Sequence, residues 1–192
     1  MGHSFASLIA LRPHALDDVL AAGTAPRFAD LVGFEFRGWN VFADPLSAGV
    51  GTVMGIQRFA KGFFARASGN VDELPTIEGY NCKIARGTAH EPWTDKGGGA
   101  PVRHSFFRVF RAGEGDERFG RHPHALLLDY SRGDPRPGLW DGVGLRDFVV
   151  HPEPGNRDLL LGKAYMHLGP IRSVAGFFVA ERLRPSTFVA PA

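Results

Sequence analysis

Several stretches of this chain set ionisable side chains among apolar ones at period two, the spacing that puts residues on one face of a β-strand. In Leu159–Leu168 one face carries Leu159, Leu161, Lys163, Tyr165 and His167, and the other carries Leu160, Gly162, Ala164, Met166 and Leu168. Leu145, Asp147, Val149 and His151 share a face, as do His104, Phe106, Arg108 and Phe110. Near the C-terminus Phe177, Val179, Glu181 and Leu183 form another. A mostly apolar surface with a few placed polar groups is the wall of a small-molecule cavity. Polar residues at period two also mark the solvent face of a half-buried strand, and alternation alone does not separate the two.

If those faces line a cavity, the ligand-binding candidates are Phe106, Arg108, Phe110, Asp147, Lys163, Tyr165, His167 and Phe177. Apolar burial would supply most affinity, at roughly 25 cal/mol per Å² before ordering costs. Arg108, Lys163 or Tyr165 would anchor a carboxylate, carbonyl or hydroxyl. The same cavity could run cofactor-free proton transfer of isomerase, cyclase or hydratase type, with Asp129, Asp147, Lys163 and Tyr165 as the catalytic candidates. Asp147 or Asp129 would be the base, Tyr165 the donor to a developing oxyanion and Lys163 its electrostatic support. Asp147, one strand earlier across the short Pro152–Asp158 connection, is the expected partner of Lys163 by hairpin pairing.

Other chemistry finds less support. His122-Pro123-His124 has the spacing of two metal ligands on a strand, but no carboxylate follows in Ala125-Leu126-Leu127-Leu128, and Pro123 disfavours a central strand. No metal and no cofactor are expected. Gly49-Val50-Gly51-Thr52-Val53-Met54-Gly55 misses the dinucleotide-binding spacing, and Lys96-Gly97-Gly98-Gly99 lacks the order of a phosphate loop. Cys82, the single cysteine, reads as a small buried hydrophobe. Arg103, Arg108 and Arg111 alternate with Phe106, Phe107 and Phe110, a pattern that could stack bases. A net charge of +2 gives no field to support it, so no nucleic-acid partner is expected. No apolar run approaches a membrane span and no leader pattern opens the chain, so a cytoplasmic protein without integral membrane association is the expectation.

The elements that must carry these faces are mostly strands. Phe34–Phe42, Val50–Ala67, Thr76–Ala85, Val102–Arg111, Ala125–Ser131, Leu145–His151, Leu159–Leu168 and Val174–Leu183 alternate with breaks rich in Gly, Pro and Asp. The breaks are too short and glycine-rich for crossover helices, which excludes parallel βαβ units. With 25 Gly and 14 Pro in 192 residues, punctuation of this density suits an antiparallel sheet. Closure into a barrel of about eight strands removes the exposed edges, and glycines within the runs permit the coiling; a β-sandwich is the alternative. His14–Gly23 reads as a helix with Leu16, Val19 and Leu20 on one face, Asp17 and Asp18 in its first turns and Gly23 as its stop. A second short turn follows, with Phe28, Leu31 and Val32 together. One domain over residues 1–192 is expected, with a helical segment over 1–33 and an extension over 185–192.

Gly38-Trp39 on the first strand and Glu181-Arg182-Leu183-Arg184 at the end of the last give a plan that resembles the lipocalin and wider calycin superfamily. The resemblance implies an eight-stranded calycin-like barrel that binds a small hydrophobic molecule, with Trp39 packed beneath Arg182 or Arg184 to seal one end. The chain departs from that pattern where Gly38 directly precedes Trp39, and it lacks the paired cysteines of secreted lipocalins. The functional expectation is binding of a small apolar or amphipathic ligand, such as a lipid or sterol, with the enzyme as one alternative. A protein-interaction module with an exposed aromatic surface is the other.

Overall fold

The structure is a computed structural model that describes residues 2–42, 56–113, 122–133, 144–168 and 171–190. Three helices precede eight strands. They are α1 (Phe5–Ile9), α2 (Pro13–Ala22), α3 (Phe28–Leu31), β1 (Phe34–Phe42), β2 (Arg58–Phe64), β3 (Ile77–Cys82), β4 (Arg103–Arg111), β5 (Leu126–Asp129), β6 (Leu145–Val150), β7 (Leu159–Leu168) and β8 (Ile171–Pro185). Each strand pairs antiparallel with its sequence neighbours, and β8 returns to β1, closing the barrel. Closure excludes the sandwich and leaves no edge unpaired.

Local chemistry accounts for the helices. Ser4 and Ser7 satisfy each other's backbone N–H groups at the start of α1. Pro13 occupies the first turn of α2, where its missing N–H costs nothing, and Gly23 follows its end. Asp17 and Asp18 lie past the first turn of α2, which starts at Pro13, so the expected contribution to its N-terminal dipole is replaced: Asp17 pairs with Lys163 on the outer wall of the barrel.

Two apolar clusters divide the molecule. Phe36, Phe63, Phe107, Val109, Leu126, Leu128, Val149, Leu160, Phe178 and Ala180 form one. Lys61 shares the parity of Phe63 and reaches Asn81, Tyr130 and Asp147 from β3, the turn after β5, and β6. Contacts between strands so far apart in the ring are possible only through the lumen, so this cluster is the barrel interior. The other contains Phe5 and Leu8 of α1 and Leu16 and Leu20 of α2, together with Ala60, Tyr80, Phe148, Leu161, Tyr165 and Phe177. It is the outer wall of the barrel under its own helices, α1 packing on β8 and α2 on β7 and β8. Among the described residues no helix is long and apolar enough to cross a membrane.

Phe28 and Leu31 of α3 join the lumen cluster and plug one end. Arg182 seals the same end: its guanidinium lies 3.8 Å from the Phe34 ring centroid and donates to the Asp30 carbonyl at 2.8 Å. The expected contact of Trp39 with Arg182 or Arg184 is therefore corrected. Trp39 has the outward parity of Arg37 and packs in the outer cluster, while Arg184 is held by Glu35 at 2.7 Å and Asp95 at 2.8 Å. Sealing at this end uses phenylalanine in place of tryptophan.

His151 lies buried beside the plug. Its Nδ1 pairs with the Leu159 carbonyl at 2.9 Å, and its Nε2 is 3.9 Å from Asp30 with no hydrogen-bond partner among the described residues. Burial lowers its pKa from 6.5, opposed by the Leu159 carbonyl and Asp30 and assisted by the positive charges of Arg182 and Arg157. A folded value below the unfolded one means the unfolded chain binds more protons, so stability is complete above about pH 6.5 and falls as pH drops below it. Urea midpoints compared at mildly acidic and mildly alkaline pH should show this loss in the natural protein and a smaller one in His151→Gln. Equal pH dependence in the two would remove His151 from the account.

Candidate functional site

The geometry sorts the sequence-expected residues cleanly by side. Lys163 and Tyr165 lie on the outer wall beneath α2. Lys163 pairs there with Asp17 at 2.5 Å and sits 5.1 Å from the Phe177 ring centroid. Tyr165 is within 2.9 Å of His122 Nε2, and His124 Nε2 lies 3.0 Å from the Leu20 carbonyl, so the two histidines serve the outer layer. Phe106 packs at a tilt against Tyr80 and Phe188, Arg108 pairs with Glu78 at 3.4 Å, and Phe110 lies under Arg132, all on the outside. Asp129 accepts from the backbone and hydroxyl of Ser131 and pairs with Arg146 at 2.9 Å. The side chain of His167 lies outside the described residues.

Asp147 alone among the described members of that set points into the lumen. The expected Asp147–Lys163 pair does not form, because Lys163 is cross-strand from Phe148 and faces the other way, while Asp147 is opposite Ala164. The parity groups hold along Leu145–Val150 and Leu159–Tyr165, but the bulge at Ser105 sets His104 opposite lumen-facing Asn81 and apart from Phe106, Arg108 and Phe110, which face outward; of the faces assigned to the cavity, that of Asp147 is inward and those of Lys163 and Arg108 are outward. The physical reason is that α1, α2 and the segment after β8 cover the outer wall. That wall therefore alternates apolar and polar residues as a cavity lining would.

Inside, β2 supplies what the sequence reading missed. Phe59, Lys61 and Phe63 share the inward parity of Arg58–Phe64, with Lys61 a lone cation between two rings. Its amine donates to Asn81 Oδ1 at 3.0 Å, to the Tyr130 hydroxyl and, at 3.4 Å, to Asp147 Oδ2. The Tyr130 hydroxyl donates to the same carboxylate oxygen at 3.0 Å. Around the amine stand the rings of Phe59, Phe107, Tyr130 and Phe178, with centroids 5.3, 4.8, 5.1 and 5.1 Å away. These are cation–π distances in a desolvated setting, where each such contact is worth up to about 2 kcal/mol. Lys61 is 3% exposed, Asp147 2% and Tyr130 1%.

The strands place this cluster on the side away from the plug. Asn81 is next to the last residue of β3, Asp147 is the third residue of β6, and Tyr130 directly follows β5. Burial pushes the Lys61 amine down and the Asp147 carboxyl up, each offset in part by the other's charge. Burial and the neighbouring Asp147 also raise the Tyr130 hydroxyl well above its usual range. Burial therefore disfavours the charged form of each partner, while their mutual attraction favours it. Asp147 Oδ1 is buried with no hydrogen-bond partner among the described residues. Buried carboxyl oxygens are rarely left so, because the desolvation cost is not recovered.

Cys82 lies on the outer face, buried beside Glu35, and burial pushes its thiol up to about 12, so it is not a nucleophile at neutral pH. Comparison of the chain with protein-family models, with curated proteins and with solved structures found no match.

Proposed function

We propose that the protein binds a small, mostly apolar molecule carrying one carbonyl or hydroxyl group, with the polar group held in the lumen by Lys61, Tyr130 and Asp147. The observation that carries this reading is the unpartnered Asp147 Oδ1, buried next to two donors inside a ring of four aromatic side chains. Aromatic walls supply apolar area, and the convergent polar groups fix orientation. The apolar outer wall does not compete as a docking surface where α1, α2 and Phe188 already cover it.

Native mass spectrometry with octane, octanol and methyl hexyl ketone tests the reading. The alcohol and ketone should bind as single molecules and the hydrocarbon more weakly. Lys61→Met should weaken the ketone by about tenfold, the worth of one buried hydrogen bond. No binding by any of the three, at concentrations up to their solubility, would discard the proposal.

A second reading, proton transfer on the bound molecule, is favoured by the Tyr130–Asp147 hydrogen bond. A carboxyl raised by burial makes a stronger base at neutral pH, and a hydroxyl beside it can donate to a developing oxyanion. This replaces the trio of Asp129, Lys163 and Tyr165, which stand on the outer wall. It requires deuterium from solvent to enter the carbon next to the ketone carbonyl, and Asp147→Asn should abolish that exchange.

A further inference from the structure

The amine of Lys61 differs from the chain's other three lysines in what surrounds it. Lys83 and Lys96 are exposed, and Lys163 is engaged by Asp17 on the outer wall. Lys61 stands in the lumen with rings on its sides and a carboxyl and a phenol within reach. A lysine held in an apolar enclosure keeps its lone pair free at a pH where an exposed one is protonated. Nucleophilic amines that condense with carbonyl compounds have this setting, together with a nearby acid that moves protons on and off oxygen.

We propose that Lys61 forms a Schiff base with an aldehyde or ketone bound in the lumen, with Asp147 as the proton carrier. The inference deepens the ligand-binding reading above and rests on it. Nζ adds to the carbonyl carbon, forming the C–N bond while the C=O π pair moves to oxygen, which takes the proton of the Asp147 carboxyl. The positively charged nitrogen then returns a proton to Asp147, leaving a neutral carbinolamine. Asp147 protonates the carbinolamine hydroxyl, water leaves, and the nitrogen lone pair closes the C=N bond. The net change is one amine and one carbonyl converted to one iminium and one water, with the Asp147 carboxylate as its counter-ion. No oxidant or reductant is consumed. Asn81 and Tyr130 orient the amine before it adds, and Tyr130 donates to the carboxyl as well. The buried cation of this sequence is the iminium, and the Asp147 carboxylate and the surrounding rings offset its cost.

Incubation of the natural protein with octanal and sodium cyanoborohydride at neutral pH tests this, because hydride reduces an iminium to a stable secondary amine. With four lysines in the chain, peptide mapping assigns the adduct without ambiguity. Lys61 should be modified at least about tenfold faster than Lys83 and Lys96, since the neutral amine is the nucleophile. In Lys61→Met and Lys61→Arg labelling should fall to the slow rate of Lys83 and Lys96, and Asp147→Asn should slow adduct formation at Lys61. Labelling confined to Lys83 and Lys96, with Lys61 unmodified, would overturn the proposal in the natural protein regardless of how the variants fold. Octanol separates the two readings. Octanol bound without octanal trapping refutes the Schiff base and leaves ligand binding standing; neither bound refutes both.

Discussion

Lys61→Met and Asp147→Asn should each destabilise the protein by about 3–5 kcal/mol, and the two together should cost far less than their sum. Each single change leaves one buried ionisable group without its partner, 3% exposed in the case of Lys61 and 2% in that of Asp147. Removing both leaves an apolar thioether and a neutral amide that still accepts from Tyr130. The two single variants should also show opposite pH slopes. In Lys61→Met the folded-state pKa of Asp147 stays above 3.8, so stability is lost as pH rises through that value toward the folded one. In Asp147→Asn the folded pKa of Lys61 stays below 10.5, so stability is lost as pH falls from there toward the folded value. Urea midpoints at weakly acid, neutral and alkaline pH read all four species. Additive costs, or slopes of the same sign, would mean that the two groups are not coupled in the lumen.

The barrel was legible because its signals are local. Phe34–Phe42 and Leu159–Leu168 match β1 and β7 to the residue, since an alternating run bounded by turn chemistry has one stable pairing mode. The helix over residues 14–23 was legible from Leu16, Val19 and Leu20, and α1 was not, because five residues from Phe5 to Ile9 are too few to show a period. The expected Val50–Ala67 run contains β2 only from Arg58 to Phe64, and residues 50–55 lie outside the described part.

The site failed on a single bit, the side of the sheet. Period two groups Lys163 with Tyr165 and Asp147 with Val149 correctly, yet nothing in a strand says which group faces the lumen. The deciding information is nonlocal: Asp17 of α2 meets Lys163, and Phe5 of α1 meets Trp93 with ring centroids 5.9 Å apart on the outside. A cue did exist in Phe59-Ala60-Lys61-Gly62-Phe63. A lone lysine between two same-face phenylalanines needs a carboxylate partner, and Asp147 was the lumen-facing acid already in view.

Phe178→Ala should cost about 3–5 kcal/mol, and its cost should shrink when Gly162→Ala is present. The tip of the Phe178 ring lies against Gly162 of the neighbouring strand, where a Cβ would come 2.1 Å from Cζ and 2.3 Å from Cε1. Gly162→Ala alone therefore forces the ring away from the amine cage and should cost about 1–3 kcal/mol as overpacking. In the double variant the collision is gone and the new methyl fills part of the space the ring vacated, so the costs must be less than additive. Gly79 is the control. A Cβ there would meet the Phe107 ring at 2.3 Å but also the Gly62 carbonyl oxygen at 2.6 Å, which is backbone and does not leave when the ring does. Phe107→Ala should therefore fail to rescue Gly79→Ala, and thermal denaturation of both pairs would show it. Rescue at Gly79, or additivity at Gly162, would mean that the rings, and with them the cage around Lys61, do not rest on the glycines of the adjacent strands.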